Sequence, residues 1–318
     1  MLDLFDPLET SFRSIASGMA EWFASYPPDA HWTVVSDYCI GDAGKKNDVV
    51  SFVIVASHDT LANICSYIAA AAPKDIKNIR TVPAGIMQYL GLPVTFSVSF
   101  VVSRESHLLR DYIALANMED FLPDVEDFLR TLQANSSAPN AYFDDVAKRL
   151  RLFKRDIAAN RQFNARLARQ VFLVATFGAQ VFKHLAVTKR PSQIRWISDR
   201  DALLDRYDGL VYDLAYVIFL LFYSTALDRP DDGLILLDKP RFLFEVPEKS
   251  GLHRYDELVR LPDYLAGTLA DIDLDTLKFT HEKFEQMWRG TLVRSPNNTV
   301  VQVLGDEEQV TTRRLTFG

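Results

Sequence analysis

The chain has 318 residues, enough for two small domains or for one domain with a large insertion. Its 48% hydrophobic and 24% charged residues are an ordinary globular composition, which excludes a chain that is disordered throughout. A net charge of −7 argues against a basic nucleic-acid coat protein. Two cysteines, Cys39 and Cys65, are too few for a disulfide framework and lack the C-x-x-C spacing of a zinc site.

The first third of the chain predicts a sheet with helices packed on it. An amphipathic helix is expected over residues 8–26, before Pro27 and Pro28. A second helix is expected over 59–72, because Ala, Ile and Leu dominate there and Pro73 follows. Runs rich in β-branched and aromatic residues predict three strands, at 31–40, 48–56 and 94–103.

The middle of the chain has helical periodicity and no convincing strand. We expect one helical unit or two over 108–132, since Pro123 would break a single helix, and one long helix over 144–185, kinked at Gly178. This block, residues 105–190, is interpreted as an all-helical insertion or cap. The domain that it interrupts is expected to comprise 1–104 and 191–318.

The last third of the chain returns to mixed elements. Strand patterns occur at 194–199, 241–246, 299–304 and 309–317. Helical patterns occur at 205–227, 254–270 and 276–289. Strands and helices in this order predict an α/β fold, with a mixed sheet flanked by helices and a large all-helical insertion.

No segment for export or membrane insertion is expected. The N-terminal residues lack a basic stretch followed by an apolar one, which is the pattern of a signal peptide. The most apolar run, 215–227, is shorter than the roughly 20 residues that span a bilayer, so it predicts a buried helix. We therefore expect a cytoplasmic protein with no membrane partner.

Three aspartates lie where predicted elements end or begin. Asp37 lies in the first strand, Asp199 ends a later strand, and Asp263 lies near the start of a helix. Aspartate is disfavoured within strands, and converging carboxylates are the ligands that Mg²⁺ or Mn²⁺ requires. Two such ions can activate water and stabilise the leaving oxygen of a phosphodiester. The alternative for each aspartate is a helix cap or a turn residue.

Further candidate ligands and a close packing face accompany this trio. If the strand at 194–199 continued, Asp201 would lie on the same side of it as Asp199 and could replace it as a ligand. Asp42, near the end of the first strand, is a supplementary candidate ligand, and its alternative is a simple turn residue. Ala266 and Gly267 follow Asp263 by three and four positions, on the same helical face. This bare face would let the helix approach the sheet.

The sequence also resembles a known family. The segments SDYCIGD, WISDRDAL and LPDYLAGTLADID resemble, in that order, the signature blocks of a bacterial family of ribonuclease H-like proteins long labelled as a domain of unknown function. The resemblance implies a ribonuclease H-like fold and metal-dependent nuclease chemistry. Asp37, Asp199 (or Asp201) and Asp263 would match the family's three aspartates. The chain departs from the family at Tyr38, where an acid is usual.

A basic stripe interrupts the acidic chain between Lys148 and Arg169. Eight basic residues lie there against one acid, and at about 100° per residue all but Arg149 fall within one half-turn of a helix. Such a stripe can follow a phosphate backbone. Its alternative is a solvated face, or one that pairs with acidic helices such as 118–126. The candidate nucleic-acid contacts are Lys148, Arg151, Lys154, Arg155, Arg166 and Arg169.

Together these patterns predict a cytoplasmic Mg²⁺- or Mn²⁺-dependent nuclease that cleaves RNA or DNA. Asp37, Asp199 and Asp263 would be the catalytic metal ligands, with Asp201 and Asp42 in reserve. The competing hypothesis is a non-catalytic protein of the same fold that binds a nucleic acid or a protein in a mobile-element or antiviral system. Association with a second copy of the chain or with a protein partner is left open.

Overall fold

The chain forms a seven-stranded mixed sheet covered by helices on both faces. The structure is a computed structural model, and it describes residues 4–27, 30–104, 108, 113–134, 141–159, 165–226, 240–245, 255–305 and 309–317. The predicted α/β class, a mixed sheet flanked by helices, is confirmed.

The order of strands in the sheet is β5-β4-β1-β2-β3-β6-β7. β1, β2 and β3 form an antiparallel meander. β4 pairs in parallel with β1, and β5 pairs in parallel with β4. β6 is parallel to β3, and β7 is antiparallel to β6. The strands are β1 His31–Cys39, β2 Asn47–Ala56, β3 Thr95–Ser103, β4 Gln193–Ser198, β5 Arg241–Glu245, β6 Asn298–Gly305 and β7 Val310–Leu315.

Each predicted strand is present, and its ends differ by only a few residues from those expected. The helices are α1 Phe5–Trp22, α2 Leu61–Ala71, α3 Ala84–Leu90, α4 Leu115–Ala134, α5 Ala141–Ala159, α6 Ala165–Lys189, α7 Ala202–Asp205, α8 Leu210–Ala226, α9 Asp256–Asp271 and α10 Glu282–Met287. A 3₁₀ turn, Ile76–Asn78, lies between α2 and α3, and a π-helical turn, Trp288–Leu292, follows α10.

Several helix predictions were wrong. α4 runs through Pro123, because the buried side chains of Phe121, Leu122 and Val125 outweigh the hydrogen bond that proline removes. The single helix expected over 144–185 is two helices, α5 and α6, and α6 continues through Gly178. The segment 160–164 between them lies outside the described residues.

Two more helix starts differ from prediction, and one helix was missed. α8 begins at Leu210 rather than near 205, because Tyr207 and Gly209 have left-handed backbone angles, φ 55° and φ 81°. α10 begins at Glu282 rather than at 276. α3 was not predicted, since seven residues after Pro83 carry too little periodicity to stand out.

The sheet separates two hydrophobic cores. Strand residues such as Val34, Phe52 and Phe100 pack against α1, α6 and α8, with α4 and α5 joining the same core. Residues of the opposite sheet face, such as Val35 and Val53, pack against α2, α3, α9 and α10. α6 belongs to the predicted helical insertion over 105–190, yet it packs on the sheet and shares its core. The division of the chain into a sheet domain and a helical insertion therefore stays a prediction.

Among the residues that the structure describes, one helix, α6, is long and apolar enough to cross a membrane. α6 has 25 residues, and 83% of its most apolar stretch is buried inside the protein. A buried core helix has the same properties, so this finding is weak evidence for a membrane span. The expected cytoplasmic location stays a prediction.

Candidate functional site

Asp37 and Asp199 lie side by side at the same end of the sheet. The parallel pairing of β1 with β4 aligns Ser36 with Ser198, and the backbone N–H of Asp199 donates to the carbonyl oxygen of Ser36 at 3.0 Å. The two aspartates follow buried Val35 and Ile197 by two positions, and those residues belong to the core under α9. Alternation along the strands therefore directs both carboxylates to the α9 side.

Asp263 reaches the same place from α9. This helix packs across β1 and β2, and Tyr264, Leu265 and Ala266, which follow Asp263, are fully buried. One carboxylate oxygen of Asp263, Oδ2, accepts a hydrogen bond from the backbone N–H of Ile76 at 2.8 Å. Asp37, Asp199 and Asp263 are all half-buried. The structure therefore brings together the three aspartates that the sequence selected.

Burial and mutual repulsion make these carboxylates hard to ionise. Burial, followed by the charges of Asp263 and Asp199, raises the pKa of Asp37 well above its usual range. Burial raises the pKa of Asp263 to about 6, although the hydrogen bond from Ile76 opposes the shift. Burial also raises the pKa of Asp199, opposed by the backbone N–H of Arg200. In the described part of the chain, no Lys or Arg forms an ion pair with any of the three.

The electrostatic surroundings include residues that the sequence did not single out. The charges of Asp75 and Asp256 raise the pKa of Asp199, whereas the charge of Lys77 lowers it. Asp75 immediately precedes the 3₁₀ turn and Lys77 is its middle residue, and their charged groups lie 3.9 Å apart. The turn is outside all three segments that resemble the ribonuclease H-like family, so no signal in the sequence pointed to it.

The two reserve ligands occupy local structural positions. β4 ends at Ser198 and does not continue to Asp201, whose Oδ1 accepts from the backbone N–H of Leu203 at the start of α7. Its charge still contributes to the raised pKa of Asp37. Asp42 is exposed, and its Oδ1 accepts from the backbone N–H of Gly44 at 2.9 Å, as a turn residue does.

Tyr38 lies on the opposite face of the sheet from Asp37. Its hydroxyl is hydrogen-bonded with Ser36 Oγ at 2.7 Å and with Ser198 Oγ at 2.8 Å. In the ribonuclease H-like family that the sequence resembles, this position usually holds an acid. In this protein it therefore faces away from the three carboxylates. Within the described ranges, no group of three or more His, Cys, Asp or Glu side chains is arranged to hold a metal ion. The carboxylates converge without forming a closed ligand set.

The α5 part of the basic stripe is largely paired within the protein. Its ion pairs are Lys148 with Asp145 at 2.9 Å, Lys154 with Glu126 at 2.8 Å, and Arg155 with Asp156 at 3.6 Å. Arg151 is exposed, and its Nε donates to the carbonyl oxygen of Ala147 on its own helix. Pairing with the acidic helix 118–126, the alternative for this stripe, is seen in the contact between Lys154 and Glu126.

The α6 part of the stripe, on the opposite face of the sheet from α9, has one residue at the end of the sheet that carries the aspartates. The guanidinium of Arg166 lies against Gly41, just beyond the end of β1 that carries Asp37. Arg166 is exposed and has no ion pair among the residues that the structure describes. The Nε of Arg169 donates to the carbonyl oxygen of Ile113 at 3.1 Å. Arg166 is therefore the stripe residue that the fold brings to the carboxylate end of the sheet.

Comparison with known proteins adds no identity. No family model, curated protein or solved structure matches the chain.

Proposed function

We propose that the protein is a metal-dependent nuclease that hydrolyses phosphodiester bonds of RNA or DNA, with Asp37, Asp199 and Asp263 as ligands of Mg²⁺ or Mn²⁺. The observation that carries this proposal is the convergence of three half-buried carboxylates from β1, from the end of β4 and from α9, with no Lys or Arg among the described residues in an ion pair with them. Carboxylates that are buried together and repel one another favour a bound cation.

The donor set fits these ions. Carboxylate oxygens are hard ligands, and Mg²⁺ usually keeps several waters and takes only one or two carboxylates, the substrate phosphate completing its shell. A closed cage of protein ligands is therefore not required. Ions held there by the three carboxylates would supply an activated water and would stabilise the leaving oxygen. Ile76 binds one oxygen of Asp263, and no described residue donates a hydrogen bond to the other.

The topology of the sheet supports the same proposal. A three-stranded antiparallel meander, continued beyond β1 by two parallel strands, is the arrangement expected of a ribonuclease H-like sheet. In such a sheet the central strand and its parallel neighbour end side by side, as β1 and β4 do. β6 and β7 extend the sheet at the other edge, beyond β3.

The second candidate function is a binding protein that uses this fold without cleavage. The orientation of Tyr38 away from the carboxylates favours it, since no acid takes that position in the site. α6, which crosses the opposite face of the sheet, also has neither Asp nor Glu in its sequence. Binding of nucleic acid without metal-dependent cleavage would identify this function.

The proposal is tested by the substitution Asp263→Asn. Asparagine keeps an oxygen that can accept from Ile76 but lacks the negative charge that a metal requires, so folding should be preserved. We expect cleavage of RNA or DNA in Mn²⁺ to fall at least about 100-fold, equivalent to several kcal/mol of lost transition-state stabilisation. Cleavage is measured on labelled single-stranded and double-stranded substrates of both kinds.

The matched control is Asp275→Asn, which removes an exposed carboxylate a few residues beyond the end of α9. This variant should cleave like the wild-type protein. Undiminished cleavage by Asp263→Asn would exclude the assignment of Asp263. A wild-type protein that cleaves none of the substrates would exclude nuclease activity itself.

A further inference from the structure

The segment 72–79, between α2 and α3, is fixed to α9 by its backbone. The hydroxyl of Tyr264 donates to the carbonyl oxygen of Lys74 at 2.8 Å. Nη1 of Arg260 donates to the carbonyl oxygen of Ala72, also at 2.8 Å. Together with the hydrogen bond from Ile76 to Asp263, these contacts hold the first part of the segment, from Ala72 to Ile76, against one helix.

α10 adds a second clamp on the same turn. The ammonium of Lys283 donates to the carbonyl oxygen of Ile76 at 2.8 Å and to that of Ile79 at 3.1 Å. The side chain of Ile76 is only 3% exposed and packs onto Gly267, where a Cβ would lie 2.9 Å from its Cγ2. The bare face of α9 therefore receives this turn. A three-residue 3₁₀ turn held by so many tertiary contacts has a defined position.

The turn presents Lys77 to solvent beside the carboxylates. Lys77 follows Ile76, whose backbone N–H is bonded to Asp263, and its side chain is 77% exposed. Its charge lowers the pKa of both Asp199 and Asp263, which is consistent with this proximity. Its neighbour Asp75 lies at 3.9 Å, a loose ion pair that leaves the ammonium free to take a second partner.

We propose that Lys77 binds a backbone phosphate of the nucleic acid next to the phosphate that is cleaved, and that the turn Ile76–Asn78 positions it for this contact. The inference rests on the proposed nuclease function, whose substrate it locates on the α9 side of the sheet. A lysine ammonium is a compact cation with three donors and binds phosphate as a point charge. A nucleic acid is a polyanion and is repelled by carboxylates, so its approach to this site needs such a cation nearby.

The test measures binding rather than cleavage. A short fluorescein-labelled single-stranded RNA, and a DNA of the same sequence, are titrated with the full-length protein in Ca²⁺, which binds carboxylates without the strict octahedral geometry of Mg²⁺. In Lys77→Gln we expect affinity to fall about three- to tenfold, and the slope of log Kd against log salt to fall by about 0.7, the loss of one phosphate contact. Lys77→Arg should restore both.

The matched control is Lys74→Gln, on the same segment and also exposed. It should bind like the wild-type protein. If Lys77→Gln binds as tightly as the wild-type protein, or if both glutamine variants lose affinity equally, Lys77 is not a specific contact. If Lys77 only neutralises the carboxylates, its loss lowers the melting temperature and leaves the affinity unchanged, which also overturns the proposal.

The two proposals fail in different ways. If the wild-type protein binds nucleic acid without cleaving it, and Lys77→Gln weakens that binding, the nuclease function is excluded and the phosphate contact is retained. If the wild-type protein cleaves nucleic acid and the Lys77→Gln variant binds it as tightly as the wild-type protein does, the nuclease function is retained and the phosphate contact is excluded. A wild-type protein that binds neither RNA nor DNA excludes both.

Discussion

Asp37 is a carboxylate on the sheet face that packs under a helix, where its burial opposes folding. Removing its charge from water is costly, and the neighbouring charges of Asp263 and Asp199 add repulsion, so the pKa of Asp37 is raised. Its strand neighbour Cys39 shares this buried surrounding, which raises the pKa of the thiol to about 11. Cys39 is therefore a protonated packing residue at neutral pH and no nucleophile.

We predict that Asp37→Asn stabilises the metal-free protein while it removes activity. Asparagine has nearly the same shape and no charge, so the free energy of unfolding in EDTA should rise by about 1 kcal/mol at neutral pH. A raised pKa means that the folded state binds the extra proton, so the gain should disappear at low pH and grow as the pH rises. Urea unfolding at several pH values measures it, and a less stable variant would contradict the prediction.

At the scale of elements, a charged cluster joins α1 to α6. Glu9 Oε2 accepts from Lys183 Nζ at 2.8 Å and lies 3.1 Å from His184 Nε2. The hydrogen bond with His184, followed by that from Lys183, outweighs burial and lowers the pKa of Glu9 to about 2. The ring of His184 also stacks on Phe12, with centroids 4.6 Å apart. These contacts fix α1 along the core helix α6.

We predict a pH-dependent loss of stability in Glu9→Gln. The folded pKa lies below the ordinary value of 4.5, so the charged cluster stabilises the fold fully above pH 4.5 and less and less as the pH falls toward about 2. The variant should be less stable than the wild-type protein by about 1–2 kcal/mol at neutral pH, and the difference should shrink in acid. Glu21→Gln, an exposed position on α1, is the control. A difference that does not vary with pH would rule out this account.

Another cluster joins α5 to α8. Arg149 Nε donates to Asp213 Oδ2 at 2.7 Å, and the hydroxyl of Tyr142 donates to Oδ1 of the same carboxylate at 3.0 Å. Arg149 is the basic residue that the helical projection had separated from the stripe, and the structure turns it inward. Its position shows that one member of a basic run can serve packing while its neighbours remain on the surface.

For the whole molecule, sequence patterns predicted the sheet better than the helices. Runs of β-branched residues located each strand, because a buried strand demands such residues at nearly every position. Helix ends depended on backbone angles at Tyr207 and on packing around Pro123, which no local pattern reveals. The three aspartates were found since each interrupts an apolar element. Lys77, the proposed phosphate contact, was not selected from the sequence, because its place beside the carboxylates depends on the hydrogen bond between Ile76 and Asp263, which are 187 residues apart in the chain.

We predict that divalent ions stabilise the whole protein. A ligand that binds only the folded state, at 100 times its Kd, adds about 2.7 kcal/mol to the free energy of unfolding, which corresponds to an increase of several degrees in the melting temperature. Mn²⁺ or Mg²⁺ should therefore raise the melting temperature, EDTA should reverse the shift, and Asp37→Asn should show little of it. An equal shift in that variant would mean that the ions bind elsewhere.

One of the two edge strands, β7, limits how copies of the protein can assemble. It pairs with β6 along one side, and Thr312 anchors it to α1 through a hydrogen bond with Ser11 at 2.7 Å. Consecutive exposed arginines, Arg313 and Arg314, extend to both faces of the strand. Strand-to-strand addition by another copy would bring like charges together at this edge. If the protein forms a dimer, its interface should therefore use other surfaces than a sheet continued through β7.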